Sequence, residues 1–185
     1  MEKTFISANQ LLEDSYRLAA KVLADGFRPQ CIVGIWRGGA PVAIAVQEFF
    51  DFKKVTTDHI AVRTSAYFGI GQQAREIEVH GLEYLIQNIR SADSLLIVDD
   101  VFDTGRSVEA LLQQLSQRTG LNMPAEVRIA CPYFKPDRNM THMMPNYYVQ
   151  TTDKWLVFPH ELSGLTDQEI RKGKPELASI FDLLL

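Results

Sequence analysis

Cysteine is scarce. The 185 residues hold two, Cys31 and Cys131, each inside an apolar run. That count and spacing exclude a disulfide framework or a Cys-based zinc site, and two reduced thiols in a cytoplasmic protein are expected. Long apolar runs are missing as well. No uncharged stretch approaches the ~18–20 residues of a membrane span. The start, Met1-Glu2-Lys3-Thr4-Phe5, has no apolar signal core. A membrane partner is therefore not expected. Positive charge is not in excess either: 19 Lys and Arg face 23 Asp and Glu, for a net charge of -4. Without a whole-domain basic field, nucleic acid is not expected as a partner. His59, His80, His142 and His160 show no metal-ligand spacing, and His142 lies among Met140, Met143 and Met144, a packing segment. No Gly-x-x-x-x-Gly-Lys-Ser/Thr run exists, which excludes a P-loop nucleotidase. There is no internal repeat, low-complexity tract or clear linker.

What is present is ordinary globular material, 46% apolar and 23% charged, in about one domain's length. Ser7 and Gln10 open a helix with a capping-box spacing, and Leu11, Leu12, Leu18, Ala19, Val22 and Leu23 give it an apolar face. Gly26 and Pro29 end it. Cys31–Ile35 reads as a buried strand, followed by a Gly38-Gly39 turn and a helix striped by Val42, Ala45, Val46 and Phe49. Residues 60–62 predict a second strand. Residues 64–77, with Gly69 and Gly71, predict a long mobile loop. A short helix over Leu82–Ile89, a strong strand at Leu95–Val98, a helix striped by Val108, Leu111 and Leu115, and a strand at Val127–Cys131 follow. Further strands are predicted at 147–150 and 155–158, with short helices beyond Thr166. Strands alternating with helices predict an α/β fold with a parallel sheet flanked by helices. In such sheets ligands bind beyond the carboxyl ends of strands, which is where residues 36–41 and 99–107 stand.

Residues 95–107 concentrate the chemistry: Leu-Leu-Ile-Val-Asp-Asp-Val-Phe-Asp-Thr-Gly-Arg-Ser. An apolar strand runs into two acids, a third follows, and a hydroxyl-rich loop opens a helix. Thr104 and Ser107 can donate hydroxyls, Gly105 permits a tight turn, and the helix start presents free N–H groups, together an anion cradle suited to a phosphate. Asp99 and Asp100 repel a phosphate but suit a sugar diol or a divalent cation. A phosphate and a polyol side by side describe a sugar phosphate. A receiver domain does not fit, because its paired acids belong to the first strand.

This segment resembles the phosphoribosyl diphosphate signature of type I phosphoribosyltransferases. The resemblance implies a Rossmann-like parallel twisted sheet carrying a small hood. It implies one phosphoribosyltransferase domain over residues 1–185, with a core at about 27–135 and the hood from about 136–185 plus the N-terminal helix. It implies that Asp103, Thr104, Gly105, Arg106 and Ser107 hold the 5-phosphate, while Asp99 and Asp100 serve the ribose hydroxyls and Mg2+. Trp36-Arg37-Gly38-Gly39 resembles the family's pyrophosphate loop. Arg37 would meet the diphosphate, and a cis peptide is expected at Trp36–Arg37 or Arg37–Gly38. Residues 64–77 match the closing loop, with Ser65 and Tyr67 as candidates.

The C-terminal part resembles the hood of the purine enzymes. Lys135 would donate to O6 of a 6-oxopurine, Trp155 would stack on the ring, the backbone at Leu156 and Val157 would read its edge, and Glu161 would approach the metal or the 2-position. His160 stands where an aromatic is expected. Asp103 matches the general base near N7. Orotate is disfavoured because Arg75 is the one basic residue in 64–77, and adenine because its 6-amino group is itself a donor. The implied activity is transfer of a phosphoribosyl group to hypoxanthine, guanine or xanthine by a homo-oligomer, a dimer or a tetramer. The rival reading is a non-catalytic sensor of phosphoribosyl diphosphate or nucleotide on the same fold.

Overall fold

The computed structural model describes residues 3–68 and 75–181, side chains excepted at 66–68, 75–76, 178 and 181. The chain divides into two compact units: a larger one, Asp14–Asp153, and a smaller one formed by the residues up to Glu13 with those from Lys154 onward.

In the larger unit the apolar runs become the central strands. β2 (Cys31–Trp36) is buried over its first five residues, and β5 (Ser94–Val98) over its whole length. Strands buried on both faces need apolar residues at every position, which is the habit of a parallel sheet. The sheet order is β4-β3-β2-β5-β7-β6, where β3 is Asp58–Phe68, β4 Arg75–His80, β6 Val101–Phe102 and β7 Glu126–Phe134; β8 (Tyr147–Thr151) pairs with β7. All these pairings are parallel except β3 with β4. The helices are α2 (Gly39–Phe52), α3 (Glu83–Asn88) and α4 (Arg106–Thr119), with most of α1 (Ala8–Ala24). Val33, Ile35, Leu95, Ile97, Leu111 and Leu115 belong to one buried core. Gly34 lets α2 lie close on β2: a Cβ there would stand 2.8 Å from that of Ala43.

The chain moves from β2 outward through β3 and β4, then returns to lay β5 on the other side of β2. That reversal is a topological switch point, and the crevice beyond it is the natural ligand site. Register pairs Gly34 with Val98. The segments that follow at the ends of these strands, 37–39 and 99–100, therefore leave the sheet side by side.

The expected loop at 64–77 is corrected. β3 continues to Phe68 and pairs antiparallel with β4, Arg63 opposite His80 through Phe68 opposite Arg75. The two-residue alternation of Glu76-Ile77-Glu78-Val79 is a strand signal that the nearby glycines obscure. Ser65 lies on this ladder, its Oγ 3.1 Å from His80 Nε2, and Tyr67 lies in the same strand. Residues 69–74 of that expected loop lie outside the described residues.

In the smaller unit β1 (Lys3–Phe5) pairs parallel with β9 (Trp155–Val157), so β9 does not join the main sheet. α5 (Asp167–Gly173) and α6 (Ala178–Phe181) follow. Among the described residues no helix is long and apolar enough to cross a membrane.

Candidate active site

β5 delivers the acid pair. After Val98 the Asp99 N–H still donates to the Ala130 carbonyl (3.1 Å), while Asp99 Oδ1 accepts from the Asp100 N–H (3.0 Å). Burial, then the neighbouring Asp100 charge, pushes the Asp99 carboxyl well above the usual carboxylate range. Two adjacent acids held this way ask for a cation or for hydroxyl donors.

The chain then re-enters the sheet as β6, with Val101 opposite Tyr133 and Phe102 opposite Phe134. This brief pairing aims the next residues. Gly105 adopts φ +77°, and a Cβ there would stand 2.6 Å from Thr141 Oγ1 and 2.9 Å from the Phe102 ring. No side chain caps α4. The first N–H bonded back into the helix is that of Glu109, to the Gly105 carbonyl (3.0 Å). A hollow of about 70 Å³ lies here, lined by Asp99, Phe102, Asp103, Thr104, Gly105 and Ser107. It has room for several water-sized groups. An uncapped helix start over such a hollow is a phosphate-sized anion site.

Residues 36–39 meet this segment directly. The Trp36–Arg37 peptide is cis, at one of the two bonds expected from the sequence. Arg37 is exposed. A Cβ on Gly38 would fall within the Asp100 carboxylate, and one on Gly39 would stand 2.5 Å from the Val98 carbonyl oxygen and 2.9 Å from Asp99 Cα. Only glycine permits this approach.

A third group gathers on Asp103. The Lys135 N–H donates to the Phe102 carbonyl (2.9 Å), which fixes where the lysine leaves β7. Its side chain is 8% exposed, so it is no solvated surface lysine, and its Nζ lies 3.2 Å from Asp103 Oδ2. Arg138 Nε lies 2.7 Å from Asp103 Oδ1. Sequence reasoning missed Arg138; its signal is the Lys135-Pro136-Asp137-Arg138 spacing, which a single 3-10 turn folds back. Behind them the buried Tyr133 hydroxyl donates to Asp14 Oδ2 (2.9 Å) and ties β7 to α1.

The remaining predicted residues lie in the smaller unit. Leu156 and Val157 are buried opposite Thr4 and Phe5. Trp155 is 51% exposed, which removes it from the core and leaves an aromatic face uncovered. The Phe158 and His160 rings stack at 5.7 Å. Glu161 Oε2 accepts from the Phe158 N–H (3.0 Å). Among the described residues no three His, Cys, Asp or Glu side chains gather as a metal cage.

The phosphoribosyl transferase domain family matches residues 6–164, most of the chain, including residues 36–39, 99–107 and Lys135. The chain belongs to the phosphoribosyltransferase family. This phosphoribosyltransferase is 28% identical over 152 residues to a hypoxanthine-guanine phosphoribosyltransferase of Lactococcus lactis, covering 80% of this chain and 75% of the relative. It is 27% identical to a purine phosphoribosyltransferase of Pyrococcus horikoshii, with a TM-score of 0.68 over 90% of this chain and 99% of the other. It also shares its fold with a hypothetical protein of Neisseria gonorrhoeae with bound ppGpp, at 20% identity and a TM-score of 0.74 over 95% and 97% of the two chains.

Proposed function

We propose that this phosphoribosyltransferase transfers the 5-phosphoribosyl group from phosphoribosyl diphosphate to a 6-oxopurine, releasing pyrophosphate. The observation that carries the choice of base is the pair Lys135 Nζ and Asp103 Oδ2, 3.2 Å apart. A donor beside an acceptor matches the 6-oxopurine edge in which O6 accepts and a protonated N7 donates. Lysine donates to O6 and the carboxylate takes the N7 proton. Adenine presents an amino group at position 6, a donor that lysine cannot serve. The half-exposed Trp155 supplies a stacking face, worth ~1–3 kcal/mol per base, and the peptide groups of Leu156 and Val157 supply edge contacts.

The donor's 5-phosphate goes to the N–H groups at the start of α4 with Thr104 and Ser107. Asp99 and Asp100 accept from the ribose hydroxyls. The acid pair, with Asp99 raised above its usual range by burial and then by its neighbour's charge, fits a hard divalent cation, which Asp99 and Asp100 would hold. Mg2+ bound there would neutralise charge on the departing diphosphate. Arg37 and the 38–39 backbone receive the same group. The base nitrogen forms a bond to the anomeric carbon, the bond to the diphosphate oxygen breaks with its electron pair, and Asp103 accepts the base's proton. Retention of Arg37, Gly38, Gly39 and Lys135 supports catalysis over a sensor.

The test is nucleotide formation from phosphoribosyl diphosphate, Mg2+ and each of hypoxanthine, guanine, xanthine, adenine and orotate. Turnover with a 6-oxopurine is expected, and Asp103→Asn should lower it by about 10²–10⁴-fold while donor binding persists. Turnover with adenine or orotate alone would refute the choice of base.

A further inference from the structure

Lys174 is a buried charge that the chemistry above does not use. It is 3% exposed, and lysine is almost never fully buried unless paired. Its Nζ donates to the carbonyl oxygens of Phe158 (2.5 Å) and Pro159 (2.9 Å). These are the two residues that directly follow β9. Glu161 Oε2 accepts from the Phe158 N–H, so the 158–161 turn is gripped on its carbonyls and on an N–H.

The helix that ends just before Lys174, α5, is itself anchored. Thr166 and Glu169 form a reciprocal capping box at its start. Glu169 also pairs with Lys3 of β1 at 2.7 Å. At its end Gly173 packs where any Cβ would run into the Phe5 ring of β1. β1 is the partner strand of β9. Helix, strand pair and turn are thus one frame, with Lys174 as its last link. Desolvation pulls the Lys174 amine below its ordinary range, while the charges of Glu161 and Glu176 pull it back. A hydrocarbon of the same length would fill the space without that desolvation. What only the amine adds is a fixed direction for two peptide carbonyls.

Resting on the purine reading above, we infer that Lys174 is a positioning residue for base selection. By orienting the Phe158 and Pro159 carbonyls it sets the peptide planes of β9 that read the base's edge and the seating of Trp155 beside them. It does not serve the donor, whose proposed contacts all lie in the larger unit.

The experiment is Lys174→Met, which keeps the stem and removes both hydrogen bonds. KM for hypoxanthine, guanine and xanthine, KM for phosphoribosyl diphosphate, kcat and Tm are measured together. A rise of about tenfold or more in base KM, with donor KM within about twofold, is expected. Lys174→Arg should recover part of the loss. Unchanged base KM, or base and donor KM rising alike with a lower Tm, would overturn the role. If Lys174→Met does not fold, the same measurements on Lys174→Arg and Lys174→Gln decide it. Wild-type enzyme that turns over none of the three bases would overturn the purine reading itself; wild-type turnover with an indifferent Lys174 variant overturns the Lys174 role alone.

Discussion

Replacing Gly39 with alanine tests the proposal that residues 36–39, packed on the acid pair, receive the diphosphate. The new methyl would start 2.5 Å from the Val98 carbonyl oxygen and 2.9 Å from Asp99 Cα. Carbon contacts relax near 3.5–4.0 Å, so something must move by about 1 Å. Neither obstacle is a side chain that can rotate away; both belong to the backbone at the end of the fully buried β5. The loop, which carries the exposed Arg37, yields first. Overpacking of this kind costs about 1–3 kcal/mol. Alanine returns at most ~0.8–1 kcal/mol of helix propensity, and less at the first residue of α2. The net loss is about 1–2 kcal/mol, a fall in Tm of a few degrees for a chain of this size. Function should suffer more, since a 1 Å misplacement can cost about 10²-fold. Titration calorimetry with phosphoribosyl diphosphate and Mg2+ should show affinity reduced by about 10–100-fold. Gly120→Ala is the control. Its Cβ meets nothing within 4 Å, but φ is +54°, so it should lower Tm without changing donor affinity. Wild-type donor affinity in Gly39→Ala would refute the assignment of this loop.

Gly105→Ala combines a left-handed backbone, φ +77°, with a methyl placed against Thr141 and Phe102. It should destabilise the fold by about 2–4 kcal/mol in denaturant titration and remove binding of a phosphate-bearing donor. Tyr133→Phe removes the hydroxyl that donates to the buried Asp14 carboxylate, at a cost of about 1–3 kcal/mol in the same assay. Asp99 gives a pH signature. Burial, then the Asp100 charge, holds its folded carboxyl well above the usual carboxylate range, so between the two titrations the folded state holds a proton that the unfolded chain has released. Stability should therefore fall as pH rises through the folded-state titration, and Asp99→Asn should flatten that slope in a Tm-versus-pH series. Because a cation competes with that proton, binding of the donor with Mg2+ should release protons and tighten with rising pH, read by calorimetry in buffers of different ionisation enthalpy.

Legibility in the sequence followed how local each signal is. Residues 95–107 are readable because strand, acids, glycine and helix start are contiguous, and the cis peptide fell at an expected bond. Lys135 was readable only as one residue of a pattern; its burial against Asp103 depends on β6 pairing with β7 through two residues, which no periodicity announces. β9 was legible as a strand at 155–158, but its partner was not: β1, three residues long, is too short to show alternation and becomes a strand by pairing with β9 from the other end of the sequence. Glycines beside residues 64–77 disguised a β-ladder as a loop. Arg138 and Lys174 were missed because a basic residue in a polar stretch reads as solvated surface, and only tertiary contacts turn it inward. The capping box at Thr166 and Glu169 is different in kind: its Thr-x-x-Glu spacing is a local signature, open to reading from the sequence alone.

The three carboxylates of the signature segment divide by the charges around them. Asp103 is matched from both sides, by Lys135 at one oxygen and Arg138 at the other. Asp99 faces the opposite situation: its neighbour's charge adds to burial and drives its proton affinity up. A divalent cation placed at Asp103 would compete with two positive side chains already there. Placed at Asp99 and Asp100, it would relieve the repulsion between the two neighbouring carboxylates that contributes to raising Asp99. On the proposed reading a cation would therefore sit at the acid pair rather than at Asp103, the carboxylate proposed for proton transfer. The glycines at 38 and 39 fit the same reading: a Cβ on either would meet the Asp99–Asp100 segment, so the backbone proposed to receive the diphosphate stands against the acids proposed to hold the cation.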